Sequence, residues 1–440
     1  MTPETLTLIA LGALVAMILV GIPIGLSLAA TALVGTYFLF ESIELALFTA
    51  GNASFSILRN YVFATIPLFV IMGNLIARSG AAADLFTMMN MVLRRVPARL
   101  AVATVAGNAV FAAISGVSVA AAATFSQVAY PQMRRYDYDR PLALGVVAGS
   151  AMLGMLIPPS ILLIFWGILT ETSIGALFLA GVIPGLLLAV LYMGFLVVVA
   201  KRRPELTPQV PLNAAGGTGE PERMTPAILG SGIGIIALIV LVIGGIWGGF
   251  FTPTEAAGIG AIGGLALAIA KGLKPTEIVD AIISAGRTTA PIMFLLLTAA
   301  LYSQFLVTSG AIGVITDTIE GAGFGPVGLI VAMTLIWLVL GMILDSTSII
   351  LLTVPIFAPL AMGFGYHPLV FAIYGILIIE AGLLTPPFGL LVYVVKGAVF
   401  EDVTLAEVFR GAIPYWIIIL IAGVLILAFP SLVTWLPGTT

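Results

Sequence analysis

Charged side chains are scarce in this 440-residue chain: Asp, Glu, Lys and Arg together make up 8% of it. A soluble domain carries roughly a quarter. Cysteine is missing and histidine occurs once, as His367. The first absence excludes disulfides, thiolate metal sites and a cysteine nucleophile. The second leaves no HExxH zinc motif and no buried histidine for a Ser–His pair. GxSxG and GxxxxGK[ST] do not occur either, so ATP is not bound through a P-loop. A net charge of -3, without a basic patch interleaved with aromatics, gives no ground for nucleic-acid binding. These exclusions argue against an enzyme and against an organic cofactor.

Apolar residues fill the space instead, at 61% of the chain, with 49 glycines among them. Runs of ~20 apolar residues, each long enough to cross ~30 Å of hydrocarbon as a helix, recur from end to end. The alternating period of a transmembrane barrel is absent. The expected fold class is therefore an all-α polytopic membrane protein embedded in the lipid bilayer. Its first apolar segment, Leu6 to Gly21, has no positive n-region and reads as a retained span rather than a signal peptide. Ten full spans are predicted, near residues 5–21, 24–40, 61–77, 141–170, 174–200, 226–249, 255–272, 288–308, 368–396 and 411–430. Segments 41–60, 81–97, 275–287, 311–324 and 401–410 are shorter and mixed, and read as interfacial or connecting helices.

Two further runs, 100–131 and 326–363, read as re-entrant hairpins. Arg94, Arg95 and Arg99 precede the first, and Arg134, Arg135 and Arg140 follow it. Positive residues at segment ends favour the cytoplasmic side, so both ends of this run lie there and the chain must enter and return. Its polar turn, Ile114 to Ser118, is tolerated at membrane depth only where protein or an aqueous cavity shields it. The second run has no positive residue at either mouth and opens outward. With both termini periplasmic, all of the 17 Lys and Arg except Arg59 fall on the cytoplasmic side. A polar linker, 201–225, divides the chain midway.

The two halves correspond. Leu156-Ile157-Pro158-Pro159 matches Leu384-Thr385-Pro386-Pro387, Gly154 matches Gly382, and Pro131 matches Pro359, all at one offset. An odd number of spans in each half turns the second upside down. Inverted repeats with paired broken helices mark secondary transporters, whose site lies at the repeat interface.

Two constellations carry the chemistry. Ser115, Gly116 and Ser118 at the first turn face Gly154 to Ser160, where Pro158-Pro159 interrupts the helix. Asp345-Ser346-Thr347-Ser348 at the second turn face Gly382 to Gly389. Freed carbonyls and hydroxyls suit a small hard cation such as Na⁺, and exposed amides at half-helix starts suit a carboxylate. The expected Na⁺ ligands are Ser115, Ser118, Gly154, Pro158, Asp345, Ser348, Gly382 and Thr385. The expected substrate contacts are Ser115, Gly116, Ser118, Ser160, Ser346, Thr347, Thr385, Pro386 and Glu380. Simpler readings exist for each. The serines at the first turn also suit a plain proline kink re-satisfied by the backbone. Asp345 also suits a helix N-cap for Thr347 and Ser348. A charge at its depth nevertheless marks a functional position. Glu380, the other intramembrane acid, suits cation neutralisation, proton carriage or a bond to a neighbouring helix. Asn74, Asn108, Gln127 and Gln304 read as inter-helix hydrogen-bonders. Thr252 to Glu255 reads as a capped helix start.

Four motifs in this order resemble the large membrane subunit of the tripartite ATP-independent periplasmic (TRAP) transporters. They are Leu156-Ile157-Pro158-Pro159-Ser160, Phe251-Thr252-Pro253-Thr254-Glu255-Ala256-Ala257-Gly258, the run Asp345-Ser346-Thr347-Ser348 through Pro355, and Leu384-Thr385-Pro386-Pro387-Phe388-Gly389. One departure is Val117, where many members of that family carry a hydroxyl at the first hairpin tip. The resemblance implies an elevator transporter of the bacterial inner membrane, driven by Na⁺ as coupling ion. It also implies a separate small four-helix membrane subunit and a periplasmic solute-binding protein that delivers an organic anion, with dicarboxylates a family precedent. Moving parts are expected at 98–200 and 326–440, and a static scaffold at 1–78 and 226–310. Arm helices at 79–97 and 311–325 would join them. A stand-alone cation-coupled carrier or Na⁺/H⁺ antiporter of the same fold stays open, as does a passive channel or membrane scaffold.

Overall fold

The computed structural model describes residues 3–208, 225–321, 323 and 325–439. Residues 209–224 of the expected linker, Arg223 included, lie outside the described residues. The described chain is all helical. Among these residues nine helices are long and apolar enough to cross a membrane, and Thr5–Leu19, Ile24–Phe40, Arg99–Ser115 and Pro368–Gly382 are shorter apolar helices. Local chemistry sets many of the starts. Thr252 and Glu255 form a capping box at the head of Pro253–Ala270, as the sequence predicts. Asp139, Ser160, Ser173 and Asp345 each accept an amide proton from the first turn they precede.

Both expected hairpins turn back on themselves. Arg99–Ser115 and Ser118–Val128 are held together by Phe111 and Phe125, whose ring centroids are 5.9 Å apart. Pro326–Ile343 and Ser346–Gly363 are tied by the Trp337 indole N–H, which donates to the Thr353 hydroxyl at 2.9 Å. Both long helices expected near 141–170 and 368–396 are interrupted. The first consists of Arg140–Ala151, Leu153–Leu156 and Ile161–Thr170, the second of Pro368–Gly382 and Leu390–Ala398. Two expected boundaries do not exist: the one between segment 401–410 and the span near 411–430 is crossed by helix Leu405–Ala428, and the one at 287 by another helix. Segments 275–287 and 288–308 form a single helix, Pro275–Thr308, which continues through Pro291 although that residue has no amide for the Arg287 carbonyl. At 34 residues it reaches about 51 Å, well beyond a hydrocarbon core of ~30 Å.

Small residues let helices touch backbone to backbone. Ile24–Phe40, Thr65–Arg78, Pro253–Ala270 and Pro275–Thr308 make one packed group, with Gly264 against the Met72 backbone and Gly35 under Phe305. A second group joins the hairpins and broken helices to Ile174–Arg202 and Leu405–Ala428, with Gly145 against Gly411. The groups meet where Gly73 lies under Ile114 and Ser115. Polar side-chain contacts tie several helix ends together. Arg134 and Arg140 pair with Glu401, and Arg140 with Glu407. Tyr366 donates to the Pro326 carbonyl, and the Thr65 and Thr254 hydroxyls meet.

Candidate functional site

The first break begins where Leu156 gives way to Ile157-Pro158-Pro159, since neither proline has an amide to continue the ladder. Ser160 restarts the helix: its hydroxyl accepts from the Leu163 amide at 3.4 Å and donates to the Met155 carbonyl at 2.5 Å. The second break repeats the pattern around Pro386-Pro387, and both Pro–Pro bonds are cis. There the Thr385 hydroxyl donates to the Ala381 carbonyl and accepts from the Trp416 indole N–H, each at 3.0 Å. The hydroxyls of Ser160 and Thr385 are thus engaged in shaping the breaks.

Each hairpin tip rests on a break. Gly116, at φ +59°, brings its carbonyl to the Ile161 amide, and a Cβ there would come within 2.9 Å of the Pro159 carbonyl oxygen. Gly154 lies under the Val117–Ser118 backbone, where a side chain would press at 3.4 Å. On the other side Gly341 meets Gly382, and a Cβ on Gly341 would stand 2.5 Å from the Gly382 Cα. So Ser115 to Ser118 do lie on Gly154 to Ser160, and the second hairpin lies against Gly382.

The two tips differ in chemistry. Val117 precedes the helix Ser118–Val128 and has no side-chain acceptor, so no side chain caps the first-turn amides. Asp345 does cap its helix: one carboxylate oxygen accepts from the Ser348 amide at 3.2 Å and the other from the Ser348 hydroxyl. Asp345 is exposed and Thr347 half-buried, whereas Ser346 and Ser348 are buried.

Glu380 joins the two constellations, which the sequence presented separately. It is 2% exposed, and its Oε1 accepts from the Ser346 hydroxyl at 2.5 Å. Ser118, from the tip of the other hairpin, stands against the same carboxylate. The Ser115 hydroxyl is buried with no hydrogen bond, and the Ser118 hydroxyl and Glu380 Oε2 have no partner besides one another. Buried groups of this kind normally have partners. Tyr192 also lies near Glu380, its ring 4.9 Å from that of Tyr415, with both hydroxyls unpartnered. Nothing in the sequence sets either tyrosine apart from ordinary packing in an apolar run. Of the expected inter-helix amides, Asn108 donates to the Ser150 hydroxyl at 2.6 Å and Asn74 to the Ala281 carbonyl at 3.5 Å.

No group of three His, Cys, Asp or Glu that could hold a metal occurs among the described residues. The donors gathered here are hydroxyls, carbonyls at broken helices and one buried carboxylate. That set suits a monovalent hard cation better than a divalent or thiophilic one.

Paired hairpins closing on proline-broken helices, in an all-helical chain built for the bilayer, define a membrane transport protein. The model of the family described as "Tripartite ATP-independent periplasmic transporter, DctM component" matches residues 11–432. The chain belongs to that family. It is 31% identical to the C4-dicarboxylate TRAP transporter large permease protein DctM of Pseudomonas aeruginosa, over 94% of this chain and 93% of that one. It is 28% identical to the sialic acid TRAP transporter large permease protein SiaM of Vibrio cholerae, over 95% of both chains. It is equally 28% identical to the ectoine TRAP transporter large permease protein TeaC of Halomonas elongata, over 98% of this chain and 99% of that one. These relatives are permeases, not enzymes. Among solved structures, Neisseria gonorrhoeae MtrF superimposes with a TM-score of 0.59 at 14% identity, over 98% of this chain and 95% of that one. The Alcanivorax borkumensis YdaH transporter gives 0.57 at 13% identity, over 84% and 86%. These two likenesses concern the fold alone.

Proposed function

We propose that this chain is the large permease of a Na⁺-coupled, binding-protein-dependent importer of an organic anion, working by elevator-type alternating access in the bacterial inner membrane. Convergence of Ser346 from one hairpin tip and Ser118 from the other on the buried Glu380 carboxylate, with the Ser115 hydroxyl left unpaired, is the observation that carries the reading. In it the halves are inverted repeats and the hairpins re-enter from opposite faces. Residues 98–200 and 326–440 move against 1–78 and 226–310.

The asymmetry of the tips divides the labour. Amides at the uncapped start of Ser118–Val128 take a carboxylate, as helix N-termini do. A Na⁺ ion sits beside Glu380 and the hydroxyls of Ser115 and Ser118, offsetting the cost of a buried acid. A second sits at the Asp345–Ser348 turn with carbonyls from Gly382 to Thr385. The ion drives transport only if it binds the closed arrangement more tightly than the open one. The relatives are named for different solutes, so the anion itself is set by the binding protein and by side chains around the tips.

The test is reconstitution of this chain with its four-helix partner and binding protein in proteoliposomes. An inward Na⁺ gradient should accumulate the anion above equilibrium, and replacing Na⁺ by choline should abolish accumulation. Accumulation without the other two subunits would instead support a stand-alone carrier. Passive equilibration would support a channel.

A further inference from the structure

A cavity of about 370 Å³ opens between two elements. These are the end of helix Ala81–Val92 and the beginning of the first hairpin, at Arg99. Arg94, Arg95, Arg99, Tyr138 and Thr207 line it, and no acidic side chain is among its lining residues. Arg99 is only 8% exposed, its Nε has no hydrogen-bond partner, and it forms no ion pair with a described residue. Thr207, 4% exposed, likewise has an unpartnered hydroxyl. A buried guanidinium without an acid is costly to keep. Three arginines around one cavity with no acid among the described lining residues leave a positive site that an added anion would neutralise.

Further donors surround the same space. Hairpin helix Arg99–Ser115 begins here, and its first amide in the helical ladder is that of Val102, bonded to the Ala98 carbonyl. The amides ahead of it face the loop, where the Leu100 amide meets the Tyr138 hydroxyl. Burial pushes the Tyr138 phenol up to about 12, so it keeps its proton and can donate it. Ala98 adopts φ +55°, a conformation that a non-glycine residue holds only under constraint. The constraint turns the chain so that Arg94, Arg95 and Arg99 share one cavity.

We infer that this cavity binds a phosphate oxyanion, with Arg99, Arg94 and Arg95 as forked donors and Tyr138 and Thr207 completing the shell. Arginine matches phosphate geometry through paired N–H donors, and basic pockets at the cytoplasmic membrane surface suit phospholipid headgroups. The bound anion would fasten the junction between the arm helix and the first hairpin. The site lies apart from Glu380, and its test does not involve transport.

The full-length protein, purified in a zwitterionic detergent, is titrated in two arms while its thermal unfolding is followed. One arm adds inorganic phosphate against chloride at matched ionic strength; the other adds phosphatidylglycerol against phosphatidylcholine. At least one arm should raise the unfolding temperature. In the exposed pair variant Arg94→Gln/Arg95→Gln, and in Arg99→Gln, the half-saturating concentration should rise tenfold or more. A response to phosphatidylglycerol alone identifies a lipid headgroup, and a response to phosphate alone a soluble anion. No shift in either arm would overturn the inference. So would an equal loss in Lys274→Gln/Arg287→Gln, which removes two positive charges elsewhere on the same face.

Discussion

Asp345 and Glu380 are the two acids the sequence places at membrane depth, and the structure gives them different surroundings. Asp345 is exposed and already caps a helix, while Glu380 is buried between the hydroxyls of Ser346 and Ser118. Capping and cation binding at Asp345 can be separated by substitution. Asn caps as well as Asp, whereas Ala loses about 1 kcal/mol of helix stability. Asp345→Asn should therefore keep the wild-type unfolding temperature yet lose Na⁺-dependent uptake, and Asp345→Ala should lose both. Full Na⁺-dependent uptake by the Asn variant would reduce Asp345 to a cap. Local turn chemistry made Ser115, Gly116, Ser118 and the Asp345–Ser348 run legible in the sequence. That Glu380 lies between the tips was not legible, because it depends on the packing of helices distant along the chain.

At the scale of elements, the proline breaks and hairpin turns could be read directly, since Pro-Pro and Ser-Gly leave a helix few options. The continuity of Pro275–Thr308 could not. Polar residues such as Asp280, Arg287 and Thr288 suggest a surface segment, but they do not stop a helix. Packing between elements rests on glycines whose role the sequence does not reveal. Gly411 is the most constrained: a Cβ there would stand 1.8 Å from the Pro141 carbonyl oxygen, at the crossing of Arg140–Ala151 and Leu405–Ala428. Gly411→Ala should destabilise the protein by about 1–3 kcal/mol, as overpacking does. The same change at Gly258, whose Cβ would meet nothing within 4 Å, should be near neutral. Equal unfolding temperatures for the two variants would contradict this view of the crossing.

For the whole molecule, the distribution of Lys and Arg makes a prediction about sides. The chain has no native cysteine, so each introduced thiol reports alone. Arg95→Cys and Arg135→Cys flank the first hairpin; both should react only with reagent on the cytoplasmic side. Val327→Cys and His367→Cys flank the second hairpin and should react only from the opposite side. Labelling of Arg95→Cys and Arg135→Cys from different faces would make the first hairpin a pair of full spans. Family and class were legible from composition and four motifs. The meeting of both tips at one carboxylate emerged only from the folded chain.

That meeting is tested most directly by titrating the purified protein with Na⁺ at constant ionic strength, choline replacing it, while following thermal unfolding. A specific site stabilises the fold by about 2.7 kcal/mol when Na⁺ reaches a hundred times its dissociation constant. Wild-type protein should show a saturable rise in unfolding temperature with Na⁺ and none with K⁺, and Glu380→Ala should need at least tenfold more Na⁺ for half the effect. A wild-type protein indifferent to Na⁺, or a Glu380→Ala variant with the unaltered titration, would contradict the account.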